Sequence, residues 1–161
     1  LASWTDFFLV ELGDAQTLAR TVFVSLSFTK PGILELGRMA DRGLEPMAML
    51  FLLLVVTSVT LIPGQPLRLL GGEIGVTATA LLIGLVPLQI GYLRGLEPAH
   101  MRGSLVQVWA NRLSVAVIAL AGVVMAWRGD QVGVYLLAPG ILLSFVAVGI
   151  NAWVLLIEIL R

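Results

Sequence analysis

Apolar residues arrive in long blocks along this chain, and the polar residues between them are short and turn-like. Four blocks have the length of a membrane span, roughly 17 to 25 residues, near Pro46–Ile62, Leu69–Leu93, Leu105–Trp127 and Val132–Leu160. The separators are turn-forming: "PGQP" at 63–66, "RGLEPAHMRG" at 94–103 and "RGDQVG" at 128–133. Ahead of the first block, "TKPGILELGRMADRGLEP" mixes charges of both signs with scattered apolar residues. It predicts an interfacial linker or short amphipathic helix, with Pro46 at the start of the helix that follows.

The opening stretch, 4–28, is different in kind. "FFLV" and "TVFVSLSF" enclose "ELGDAQTLAR", so an apolar segment carries Glu11, Asp14, Gln16 and Arg20. Each Asp or Arg at a helix centre costs about 2.5–3.5 kcal/mol on the insertion scale. With Glu taken as similar, Glu11, Asp14 and Arg20 cost up to roughly 8–10 kcal/mol, while the apolar residues return only about 3–7. Such a segment does not insert alone; it inserts if its charges face protein or water. Helical periodicity allows that. Phe8, Leu12, Ala15, Ala19, Phe23 and Leu26 form an apolar stripe, expected to face lipid. Asp14, Thr17, Thr21 and Ser25 form a polar stripe with Glu11 at its edge, and Arg20 and Gln16 flank it. The predicted fold is an all-α polytopic membrane bundle in a single domain. It has five spanning helices, or four plus an interfacial N-terminal helix.

Composition agrees. Of 161 residues, 58% are hydrophobic and 12% charged, against about a quarter charged in soluble domains; mean hydropathy is +0.99. Ten basic and ten acidic residues balance, which points to no nucleic acid partner; the expected partners are the lipid bilayer and a second copy or another membrane protein. The first residue is leucine, and no basic stretch leads into an apolar core, so no signal peptide is expected. Basic residues gather in alternate connections: Lys30, Arg38 and Arg42, then Arg94 and Arg102, with Arg161 at the end. The positive-inside bias puts these in the cytoplasm and the N-terminus outside.

Candidate chemistry is limited. There is no cysteine and one histidine, His100, so thiolate chemistry and a two-histidine metal site within one chain are excluded. "GGEIG" at 71–75 lacks the spacing and preceding strand of a nucleotide fingerprint. No enzyme activity, metal or cofactor is expected. The stripe Glu11, Asp14, Thr17, Thr21, Ser25 is a candidate pore lining or ion site, since carboxylates and hydroxyls can replace an ion's water. By depth, Arg20, Asn111, Arg112 and Asn151, with Glu158 lower down, could form an intramembrane polar clamp. In it, Arg20 is held by Asn151 or Glu158. Glu11 and Glu73 sit at comparable depth near the other end. Gly71, Gly75 and Thr79 form a small-xxx-small packing seam, repeated at Gly91 and Gly95. Pro87 and Pro139 predict kinks, and Trp4, Trp127, Trp153, Tyr92 and Tyr135 predict interfacial anchors.

The ending "YLLAPGILLSFVAVGINAWVLLIEILR", with "TVFVSLSF" and "LIPGQP", resembles a group of small, uncharacterised bacterial polytopic membrane proteins. Members of that group carry a small apolar first helix where this chain has Glu11, Asp14, Gln16 and Arg20. The resemblance implies a bacterial cytoplasmic membrane and supplies no activity. The functional expectation is a small ion-conducting or transport protein built as a homo-oligomer. Its alternative is an accessory subunit that docks its charged first helix on another membrane protein.

Overall fold

The structure, a computed structural model, describes residues 4–27, 37–94 and 98–160. Five helices account for nearly all of them: α1 Thr5–Ser27, α2 Gly37–Thr60, α3 Leu67–Arg94, α4 Pro98–Arg128 and α5 Val132–Leu160. The last three match the sequence blocks within a few residues, except that α4 begins earlier, at Pro98. The second does not match: α2 starts at Gly37 and runs through Pro46, so the expected linker is partly helix and Pro46 is not its first residue. One proline removes a single backbone donor, and the apolar residues after it are packed in the core. Pro87 and Pro139 likewise lie within α3 and α5.

The turns follow from local chemistry. Gly64 (φ 75°) reverses the chain between α2 and α3, and Gly129 (φ 68°) does so after α4. The Gly129 N–H donates to the Met125 carbonyl at 2.9 Å, the left-handed glycine cap of a helix C-terminus. Asp130 then accepts from the Val132 N–H at 3.2 Å and from Arg128 Nε at 2.9 Å, which starts α5.

These short reversals make α2 to α5 an antiparallel series. α3 packs most extensively on α4 and α4 on α5; α2 packs on α3 and α5, and α1 on α2 with a smaller contact to α5. Contacts at both ends fix the register. Gly71 and Gly75 meet Gly122 near the Gly64 and Gly129 turns, whereas Gln89 meets Arg112 near the 95–97 connection. The bundle thus has a turn end, at Gly64 and Gly129, and a connection end, at 95–97.

α1 lies along this bundle. Trp4 stacks edge-on against Tyr135 at 5.0 Å, which puts the start of α1 beside the start of α5 at the turn end. Phe8, Ala15 and Val22, spread along α1, all belong to the buried core. A helix of 23 residues is about 35 Å long.

The outer surface of α3, α4 and α5 is largely apolar. Val76, Ile83, Val106, Trp109, Leu113, Leu120 and Val146 are exposed on α3, α4 and α5. On helices this long, an apolar exterior around a packed interior is the construction of a membrane protein. Three stretches are long and apolar enough to cross a bilayer: Leu67–Gly91, Ser104–Arg128 and Val132–Trp153. The apolar part of α2, Leu44–Thr60, is shorter, and α1 carries Asp6, Glu11, Asp14 and Arg20. Length and composition thus support three spans, not the five that the sequence pattern predicts.

Candidate functional site

α1 has two faces, and they are the reverse of those expected. The apolar stripe does not look outward: Phe8 and Ala15 are buried against the bundle with Val22. Asp14, Gln16, Thr17, Arg20 and Thr21 are exposed on the outside. Among the described residues, the side on which α1 packs is a largely apolar core that also takes in Glu11. Phe23 is 62% exposed, because residues four apart drift by about 40° round a straight helix and the stripe leaves the contact before reaching it.

The candidate ion-binding set divides between these faces. Glu11 is only 7% exposed and sits on the inward side with Phe8 and Ala15, so it does not line the same surface as Asp14, Thr17 and Thr21. The Ser25 side chain lies outside the described residues. Thr17 Oγ1 donates to the Gly13 carbonyl at 2.9 Å, and Thr21 Oγ1 to the Thr17 carbonyl at 2.9 Å. A hydroxyl whose proton is committed to its own helix turns acceptor lone pairs outward.

A second polar group lies inside the bundle, at the connection end. Asn151 on α5 donates through Nδ2 to Asn111 Oδ1 on α4 at 3.2 Å and accepts from Gln107 Nε2 one turn before it. Arg112 Nε donates to Gln89 Oε1 on α3 at 2.6 Å, and Gln89 Nε2 donates to Glu45 Oε1 on α2 at 2.6 Å. Asn111 is fully buried, and Gln89 and Asn151 are 2% exposed. Four helices are thereby tied in one layer, and the amide of Gln89 links an acid to a base that do not touch each other directly. In a low-dielectric interior, such bonds avert the cost of unpaired polar groups. Among the described residues one donor in this layer is left over, Asn111 Nδ2.

Of the expected clamp, the structure joins Asn111 to Asn151 and places Arg112 beside them, through Gln89. Arg20 is not in it: it is exposed on α1, and the hydrogen bonds of Asn151 go to Gln107 and Asn111. The Glu158 side chain lies outside the described residues. Glu45, Gln89 and Gln107 are members the sequence reading missed. The signal was present: an amide or acid interrupts each apolar helix a few turns from the 95–97 connection or its equivalent end.

At the turn end, Glu73 accepts from Gln65 Nε2 at 2.7 Å and borders a shallow crevice with Val55, Val56, Val59, Ile74 and Thr77. Its partner is thus the loop amide. The glycine seam is real for Gly71 and Gly75, which contact Gly122 of α4 backbone to backbone. Thr79 is exposed, rotated out of the contact by the same drift of about 40° per four residues, whereas its neighbour Ala78 is buried. Gly91 has no atom near the position of an added Cβ, and Gly95 lies outside the described residues. Trp127 is exposed at the end of α4, and Trp153 is exposed on α5 two residues after Asn151. Among the described residues, no group of three or more His, Asp or Glu side chains could hold a metal ion.

No protein-family model, no curated protein and no solved structure matches this chain.

Proposed function

We propose that this chain is a small, non-enzymatic protein of the bacterial cytoplasmic membrane. The three long apolar helices span the bilayer with α1 and α2 carried alongside them, and copies assemble around an ion path lined by the outer face of α1. The observation that carries this reading is the direction of Asp14, Thr17 and Thr21. They point away from the protein's own core while α1 runs the length of the bundle. Charged groups at such depth face water or protein rather than lipid, so the face needs a cover that one copy does not supply. The outward lone pairs of Thr17 and the carboxylate of Asp14 favour a cation over an anion. The basic residues near the connection end, Arg94 and Arg102, put that end in the cytoplasm. The N-terminus then lies outside, with the Gly64 and Gly129 turns.

The polar layer of Glu45, Gln89, Gln107, Asn111, Arg112 and Asn151 belongs to the framework in this reading, since its bonds are made within one copy. Reconstitution in liposomes tests the proposal. Purified protein should carry a cation flux, reduced in Asp14→Ala and abolished in Thr17→Leu. No flux from wild type, or equal flux from all three proteins, would sink it. Recovery of a stable complex with a different membrane protein would instead support the rival reading, a docking subunit that uses the same face.

A further inference from the structure

The outer face of α1 is not uniform. Thr17 is at its centre, with Val10 and Val24 near the same line, about two turns away on either side. At about 100° per residue, Asp14 lies about 60° to one side of that line and Arg20 about 60° to the other. The helix thus offers a negative flank and a positive flank separated by a strip containing Gly13, Thr17 and Thr21. All of these residues are exposed, and nothing lies within 4 Å of an added Cβ at Gly13.

That arrangement has a consequence for self-association. When parallel copies of one helix gather round a symmetry axis with the same line facing inward, the left flank of each copy meets the right flank of the next. Here this sets Asp14 against the flank that carries Arg20. The two are six residues apart, an axial offset of about 9 Å. The arginine side chain runs back toward the N-terminus of its helix, which is the direction of Asp14, and its long stem spans most of that distance. Among the described residues, neither charge has an ion-pair partner within its own copy.

We propose that the partner of the α1 face is a second copy of this chain, and that Asp14 of one copy pairs with Arg20 of the next. The inference rests on the oligomeric reading above and adds the contact that closes the assembly. It also answers an objection to a cation path, since an unpaired Arg20 beside Thr21 would repel the ion. The pair compensates Arg20 and Asp14 together and leaves the hydroxyls of Thr17 and Thr21 toward the axis.

Charge exchange tests it. The full chain is examined in lipid nanodiscs by native mass spectrometry as wild type, Asp14→Arg, Arg20→Asp and the double exchange. Each single exchange places like charges together and should lower the assembled fraction roughly a hundredfold, the scale of breaking a desolvated ion pair. The double exchange should restore it. Independently, two differently tagged chains, Asp14→Cys and Arg20→Cys, are co-expressed and treated with a bis-maleimide whose spacer is about 9 Å, the axial offset. An adduct between the tags is expected, and the absence of cysteine elsewhere in the chain makes it specific. Failure of the double exchange to restore assembly, or absence of the adduct, overturns the pairing. If wild type still assembles and conducts in that case, the pore reading stands without it. If wild type neither assembles nor conducts, both fall.

Discussion

Gly71 on α3 and Gly122 on α4 meet backbone to backbone: a Cβ added to Gly71 would lie 2.6 Å from the Gly122 carbonyl oxygen. On the other side, a Cβ on Gly122 would lie 2.7 Å from the Cα of Gly75. Neither obstacle is a flexible side chain, so neither can move aside without shifting a helix.

Gly122→Ala and Gly71→Ala should therefore each destabilise the bundle by about 1–3 kcal/mol, the usual cost of overpacking a tight contact. Gly84 has nothing within 4 Å, and Gly84→Ala should be neutral or stabilise by up to about 1 kcal/mol through helix propensity. Thermal unfolding in detergent, followed by circular dichroism, measures the ranking. Equal midpoints for Gly122→Ala and Gly84→Ala would show that the close contact does not form.

Gln89 is the bridge between Glu45 and Arg112. Gln89→Leu keeps the bulk and removes both bonds, leaving an acid and a base unsatisfied; a loss of about 1–3 kcal/mol is expected. Gln89→Glu keeps an acceptor for Arg112 but sets a carboxylate against that of Glu45, so its loss should shrink as pH falls and one carboxyl is protonated, whereas that of Gln89→Leu should not. Denaturant titration of the two variants at neutral and acid pH checks the difference.

Asn111 and Asn151 share a bond across α4 and α5. A double-mutant cycle with Asn111→Ala and Asn151→Ala should return a coupling of about 0.6 kcal/mol, and up to about 1.7, as for other bonds between membrane helices. Coupling indistinguishable from zero would mean that the amides do not meet.

Glu11 and Asp14 were grouped by spacing and are separated by direction. Glu11→Gln should leave cation flux unchanged, whereas Asp14→Ala lowers it. A flux lost equally in both would return Glu11 to the path and contradict its burial against the bundle.

Topology can be read with single cysteines in this cysteine-free chain. Thr5 starts α1 and Gln131 precedes α5, both exposed at the turn end. Thr5→Cys and Gln131→Cys should both react with a membrane-impermeant maleimide added to intact cells. Labelling of Gln131→Cys alone would mean that α1 is not carried alongside the spanning helices.

Much of this molecule is written in one dimension. The apolar blocks, the glycine turns at 64 and 129 and the scarcity of charge determine a helical membrane protein, and the bounds of α5 are those of its block. These properties depend on neighbours in sequence: hydrophobic length, backbone freedom at glycine, and helix caps. The start of α2 was not legible, because a proline among mixed charges reads as a boundary and only burial of the following helix carries the chain through it. Three further features required tertiary structure. Periodicity divides α1 into an apolar and a polar face, but which of them turns outward depends on what α2 and α5 present to it, and they present an apolar core. Asn111 and Asn151 could be matched by depth, yet Glu45 and Gln89 join Arg112 only once the register of four helices is set. Gly71 and Gly75 face α4 while Thr79 turns outward and Ala78 is buried, because a helix turns by a fixed angle per residue and its partner lies in one direction.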